Sequence, residues 1–475
     1  MATVGRSRDA TAAAPGRLKA GAVGVPGMVF MVVAAAAPLT ALSSNISLGL
    51  GMGVGAAAVL VMIGTGLLLA IFSAGYLVLA RYVTCAGAYQ AFVAFGLGRG
   101  AGGAVAFVAT LAYTLAAGGM VAASGYFTGL AVAAVTGTDL PWWLYGAGAL
   151  LVTVALGIRG VEVAQRLTTA VSLLQFGIVV VLAVAVLAAR PVSAWTDERL
   201  LSPAAALGPG LAVTLVFCLL SFAGFEAAAA YGEETDAPAR SITLATYAAL
   251  GLLLAVFVLG TWTLVAAFDD VRAVAAADPG AVVLSAADRF LGPWSGPLLG
   301  VLVAISFLAA AVAFANLAIR YLFTLGRGGL LPRALARTHG RYQTPYVGCV
   351  VVAAVAVVVL VPFALTGADP LVTLFPAVSG ITSISLVAMM TGCCASVVTA
   401  RARGAVRGSA WSTVVAPVLA GAGLVAVLVL IVVNYAEVTG STSPVIGAMP
   451  LVVLVAAVTG AAATRLRPDG GRGRG

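Results

Sequence analysis

Residues 211–240, LAVTLVFCLLSFAGFEAAAAYGEETDAPAR, place one carboxylate, Glu226, inside an otherwise apolar run. An ionisable side chain at bilayer depth costs at least about 2.5 to 3.5 kcal/mol, so such an acid faces a protein-lined or wet interior rather than lipid. Just ahead of it, Ser221, Phe222, Ala223 and Gly224 interrupt the helical preference. Small residues let backbones approach closely. A glycine followed by a buried acid is the sequence expected of a broken helix whose freed backbone groups surround a polar site. The structural alternative is a tight helix crossing with a protonated, hydrogen-bonded Glu226.

Working outward, the whole chain shares this apolar character. Of its 475 residues 62% are hydrophobic and 9% charged, with a mean hydropathy of +1.12; soluble domains carry about 25% charge. The chain is therefore read as an all-α polytopic membrane protein. Its net charge of +9 rests on arginines, with Lys19 the only lysine. These lie in short loops, so the partner they imply is the anionic face of a lipid bilayer, and no nucleic acid.

Apolar runs of about 20 residues mark membrane spans. Twelve occur, at 26–47, 55–80, 101–135, 142–158, 163–189, 209–231, 241–267, 295–325, 346–366, 370–399, 410–434 and 444–464. With residues 1–25 as a retained cytoplasmic tail, 21 of the 25 basic residues fall on the inner side. Only Arg190, Arg199, Arg272 and Arg289 fall outside. This asymmetry predicts twelve crossings with both termini cytoplasmic, in a plasma (inner) membrane. Trp142, Trp143, Trp195, Trp262 and Trp294 fall at the outer ends, as an aromatic belt should. The five cysteines form no disulfide framework, and the one histidine, His339, lies in an inner loop.

Span one carries a second irregularity. In Ala34–Asn45, AAAAPLTALSSN, Pro38 sits mid-span and is followed by hydroxyl and amide side chains. Proline removes an amide and clashes with the carbonyl four residues earlier, so the helix should kink or break near Ala36 to Pro38. Thr40 and Ser43 are candidate caps for a second half-helix whose positive end faces the centre. Broken helices one and six within a ten-span core are what an inverted five-plus-five repeat predicts, with a substrate site at the midplane between them. Repeat one is then 26–189 and repeat two 209–399, giving a transport core over 26–399. Two additional helices follow in 410–464, and 465–475 is a cytoplasmic tail.

Over most of the first ten spans the chain resembles the amino acid, polyamine and organocation permease family. Three stretches carry the resemblance: Tyr76–Arg81 with Ala86-Gly87-Ala88-Tyr89 and Gly96-Leu97-Gly98; Ser221–Glu226 with Gly232-Glu233-Glu234 and Pro238–Ile242; and Arg320-Tyr321 with Gly326–Pro332 and Thr344-Pro345. Many relatives have a glycine-rich break in span one, where this chain has Ala36-Ala37-Pro38-Leu39-Thr40. The resemblance implies a secondary transporter of amino acids or related small amines by alternating access, with proton coupling favoured over sodium and exchange as the alternative. It implies that amides near Thr40 and Ala41 receive a substrate carboxylate. Carbonyls around Ala36, Ala37 and Ser221, Phe222, Ala223 and Gly224 would hold the ammonium. Phe314 would line the site and Phe222 gate it, with Tyr113 and Asn316 as further candidates. In some relatives the carboxylate matching Glu226 is tied to proton sensing. The expected partners are a small-molecule amino acid or amine, protons and lipid; the oligomeric state is left open.

Two competing classes are weighed against transport. Asp269, Asp270 and Asp278 suggest the divalent-metal site of a membrane enzyme, but that chemistry needs acidic clusters facing one another within the cavity, and the sequence has no second Asp cluster. A nutrient sensor on a transporter scaffold would carry sizeable signalling extensions, whereas both tails are short. No enzyme activity, cofactor or metal is therefore expected. In the same outer segment, Val282, Val283, Ala286, Ala287, Phe290 and Leu291 form a helical stripe.

Overall fold

The computed structural model describes residues 36–83, 88–159, 161–226, 238–441 and 443–466, with Val25 and Val29 besides. Both tails, most of the first part of span one, Ala86-Gly87 and Gly232-Glu233-Glu234 lie outside the described residues. Every regular element among them is helical. Beyond its break, span one continues as a half-helix, α1, made of Pro38–Ala41, a π-turn over Leu42–Ile46, and Ser47–Gly51. Then follow α2 (Ala58–Tyr82), the short α3 (Ala88–Leu97), α4 (Arg99–Thr136), α5 (Trp142–Arg159), α6 (Val161–Ala189) and α7 (Leu211–Ser221). Next come α8 (Pro238–Ala267), the loop helices α9 (Val271–Ala277) and α10 (Val282–Leu291), and α11 (Ser295–Arg327). The last are α12 (Tyr346–Thr366), α13 (Phe375–Ala402), α14 (Ala416–Val433) and α15 (Pro450–Leu466).

Nine helices among the described residues are long and apolar enough to cross a membrane. The places of spans one, five and six are taken by α1, α6 and α7. At 11 residues α7 rises roughly 16 Å, about half of a hydrocarbon core. It ends in the middle because its backbone turns there.

The scaffold is built from spans five positions apart that run antiparallel. Along α4 and α11, Tyr113 meets Phe314, Ser124 bonds the Ala304 carbonyl, Phe127 stacks on Phe307 and Gly300 faces Ala131. As one number rises the other falls. The same holds for α2 and α8, where Gly66 faces Leu254 and the Tyr247 hydroxyl donates to the Ala70 carbonyl. It holds again for α1 and α7, where Asn45 meets Ser221, Gly49 meets Thr214 and Gly53 meets Gly210. Close approach sets where glycine is needed. A Cβ on Gly103 of α4 would lie 2.6 Å from the Gly460 carbonyl oxygen of α15.

Loops meet at the two ends of the helices. Trp262 Nε1 donates to the Trp195 carbonyl and Trp142 Nε1 to that of Ala368 on one face. On the other, Arg403 donates to the Gly96 carbonyl and Thr344 to that of Ile158. The helical stripe of the 269–291 segment buries Val282, Val283, Ala286 and Ala287, and forms α10 behind the shorter α9.

Candidate functional site

The break in span one is made by Ala37 and Pro38. Ala37 has φ 42° and ψ 75°, in the left-handed region, and Pro38 opens the half-helix. A residue before proline is kept out of the right-handed helical region, and here the chain escapes through the left-handed one. For a residue with a Cβ that conformation costs about 1–2 kcal/mol. Ala36, Ala37, Thr40 and Ala41 are all buried.

The cap of this half-helix differs from the sequence expectation. Thr40 lies inside the first turn, not ahead of it, and its hydroxyl bonds Ser306 Oγ of α11. Ser43 Oγ is buried without a partner. The acceptor comes instead from α6. Gln175 Oε1 takes the Leu39 amide at 3.0 Å, while Gln175 Nε2 donates to Ser306 Oγ at 2.9 Å. A fully buried amide thus ties spans one, five and eight together and acts as a cap supplied from another helix. The Ala41 amide, expected to be open to a ligand, donates to the Ala37 carbonyl at 3.1 Å.

The break in span six is of another kind. α7 ends at Ser221, and the Phe222 and Ala223 amides fold back onto the Leu219 and Leu220 carbonyls. Gly224 then takes φ 102°, a conformation open to glycine alone at little cost. Glu226 is buried, and its carboxylate turns back onto the break. Oε2 accepts from the Gly224 amide at 3.0 Å and Oε1 from the Tyr113 hydroxyl at 3.4 Å. Tyr76 donates to the Glu226 carbonyl at 3.1 Å. The acid in the apolar run therefore faces protein donors, not lipid.

Of the aromatic candidates, Tyr113 stands between Glu226 on one side and Phe314 on the other, with ring centroids 6.2 Å apart in the latter pair. Tyr321, two turns on from Phe314, stacks on the same Tyr113 at 5.8 Å. Asn316 is two residues from Phe314, about 200° around the helix, so it lies on a different face of α11. Phe222 is fully buried and packs edge-on against Phe257 of α8.

Between the breaks, Asn45 Nδ2 donates to Ser221 Oγ at 3.3 Å, and Ser221 Oγ donates to the Phe217 carbonyl. Asn45 lies on the π-turn, and its Oδ1 is buried without a donor. Because α1 starts at its break and α7 ends at its own, the positive end of one and the negative end of the other point into the middle of the fold. Gln175, Ser306 and Asn45 were absent from the sequence candidates. The signal that could have found Gln175 was a lone amide in the apolar run 171–180, VSLLQFGIVV.

The acids of the outer segment are engaged structurally. Asp269 pairs with Arg190, whose hydrogen bond holds the carboxyl below its usual range, and Asp270 caps the Ala273 amide. Asp278 Oδ1 accepts from the Gly280 and Ala281 amides. Among the described residues no three His, Cys, Asp or Glu side chains are grouped to hold a metal. A polar cavity of about 430 Å³ opens near the far end of α1, lined by Val54, Asp197, Arg199, Asp270 and Arg272 among others.

The profile of the amino acid permease family matches residues 23–458. The chain belongs to that family. Uncharacterized transporters of Mycobacterium bovis and Mycobacterium tuberculosis are 35% identical to this permease over 136 residues. That match spans 28% of this permease and 30% of the relatives' length. The solved structure of the transporter MhsT in complex with L-phenylalanine matches 87% of this permease and 100% of its own chain, with a TM-score of 0.64 at 17% identity. At that identity the likeness is one of fold, the all-helical transporter architecture with broken helices described above.

Proposed function

We propose that this permease is a secondary transporter moving amino acids or related small amines across the plasma (inner) membrane by alternating access, with proton-coupled uptake. The observation that carries the reading is the meeting of the two breaks. Half-helices α1 and α7 lie antiparallel and end in the middle of the fold with opposite partial charges, a design suited to a small polar ligand at the midplane. Carbonyls at Ala36 and Ser221 to Gly224 receive the ligand ammonium, and Tyr113 and Phe314 line the site. Twelve crossings with both termini cytoplasmic complete the proposal, supported by the way loops meet at the two ends of the helices.

Glu226 is the coupling group. Among the described residues its carboxylate is the only acid at the breaks, and it bonds the Gly224 amide and the Tyr113 hydroxyl, so a change in its protonation acts directly on the turn of span six. Glu226→Gln keeps size and hydrogen bonding but cannot ionise. In proteoliposomes across a pH series it is expected to keep substrate binding and lose most of the pH dependence of transport. Net uptake driven by a proton gradient should slow more than exchange. Parallel pH profiles for wild type and Glu226→Gln would remove the coupling role, and lower protein yield with an unchanged profile would make the acid structural.

A further inference from the structure

What the two breaks offer a ligand is lopsided. The first turn of α1 has four residues. Pro38 has no amide proton, the Leu39 amide is held by Gln175, and the Ala41 amide goes to the Ala37 carbonyl. At most one amide, that of Thr40, is left for a ligand there. No basic residue occurs in 36–45 or 221–226 to take a negative charge instead.

Acceptors, in contrast, are at hand. Asn45 Oδ1 is buried with no donor, and the carboxyl end of α7 adds its negative pole. A carboxylate presents acceptors only, and an ammonium donors only. Among the described residues a buried carboxylate would find at most the Thr40 amide and the partnerless Ser43 hydroxyl as donors, while a buried ammonium would supply the donor that Asn45 Oδ1 lacks.

We propose that the preferred substrate is an amine cation without an α-carboxylate, and that Gln175 enforces this by occupying the Leu39 amide. The inference rests on the transport reading above and narrows its substrate class. Gln175 acts here as a positioning residue. It fixes the amino end of α1 and withdraws the donor that a carboxylate would use.

The test compares ligands matched in side chain with and without the carboxylate: phenethylamine with phenylalanine, agmatine with arginine, putrescine with ornithine. Binding to the purified full-length permease in detergent is followed by thermal shift and calorimetry, since a ligand stabilises by mass action. In wild type, the amine of at least one pair is expected to bind roughly tenfold more tightly than its amino acid. Gln175→Leu frees the Leu39 amide and should shrink that ratio to about threefold or less, chiefly by improving the amino acid. Gln175→Asn, which keeps an amide but is one carbon shorter, should shift the ratio the same way if the leucine variant does not fold. Tighter binding of the amino acids by wild type overturns the proposal while leaving the transport reading intact. A ratio unchanged in both variants overturns the role of Gln175. Binding of neither member of any pair sinks this proposal together with the ligand class on which it rests.

Discussion

The two breaks do the same job with opposite materials. Span six turns at a glycine, Gly224, and closes its own turn with the carboxylate two residues on. Span one turns at an alanine held at φ 42°, and its first amide is capped by a glutamine 136 positions away in sequence. A glycine break is locally self-sufficient, because its backbone conformation is nearly free of strain. An alanine break stores about 1–2 kcal/mol and persists only while its surroundings hold it. The first is therefore sensitive to what is added at the turn, the second to what is removed around it.

The sharpest way to break the comparison is Gly224→Leu. At φ 102° any side chain is strained, and the strain falls on the turn whose amide holds the Glu226 carboxylate. Ligand binding should fall below detection while the protein still inserts and purifies. Normal binding would mean that Gly224 serves helix packing alone and that the turn can form without glycine.

A smaller effect is expected on the other side, where no turn residue is touched. Gln175→Met keeps the length of the side chain and removes both hydrogen bonds, leaving the buried Leu39 amide without its acceptor. A buried donor left unsatisfied costs about 1–3 kcal/mol, so the variant should melt several degrees lower in detergent. Ser306→Ala removes only the far half of the clasp and should cost less. Equal melting temperatures for Gln175→Met and wild type would show that the amino end of α1 is held by packing rather than by the clasp.

The asymmetry also governs what the sequence made legible. Pro38, Gly224 and Glu226 each announce themselves locally, as a proline, a glycine and a charge in apolar runs, and the structure puts a break or a buried acid at each. Partners that depend on which face of a distant helix turns inward were not legible. Gln175 on α6 reaches Leu39, and Tyr113 on α4 reaches Glu226, only because of how those helices are rotated in the bundle. Phe314 and Asn316 show the limit of reading by resemblance along one helix, since two residues separate them by about 200°. The π-turn at Leu42–Ile46 has no sequence signature, yet it sets the register that brings Asn45 to Ser221.

The smallest effect separates strain from function in span one. Ala37→Gly relieves a left-handed alanine worth about 1–2 kcal/mol but gives back about 0.4–1 kcal/mol through the freer unfolded chain. The net gain should be on the order of 0.5 kcal/mol, a rise of a degree or two in melting temperature. Ala37 is buried, and a glycine leaves a void only a methyl group in size, which lowers the gain further. If the alanine conformation is simply tolerated, binding is unchanged and the variant is slightly more stable. If the break must be stiff for the half-helix to present its end correctly, the variant melts no lower but binds several-fold more weakly, because freedom is restored where the clasp had fixed a single geometry. Ligand titration beside a melting curve on the same preparation decides between the two. A clear loss of stability would contradict the left-handed assignment of Ala37 itself, since glycine is the one residue that this conformation cannot penalise.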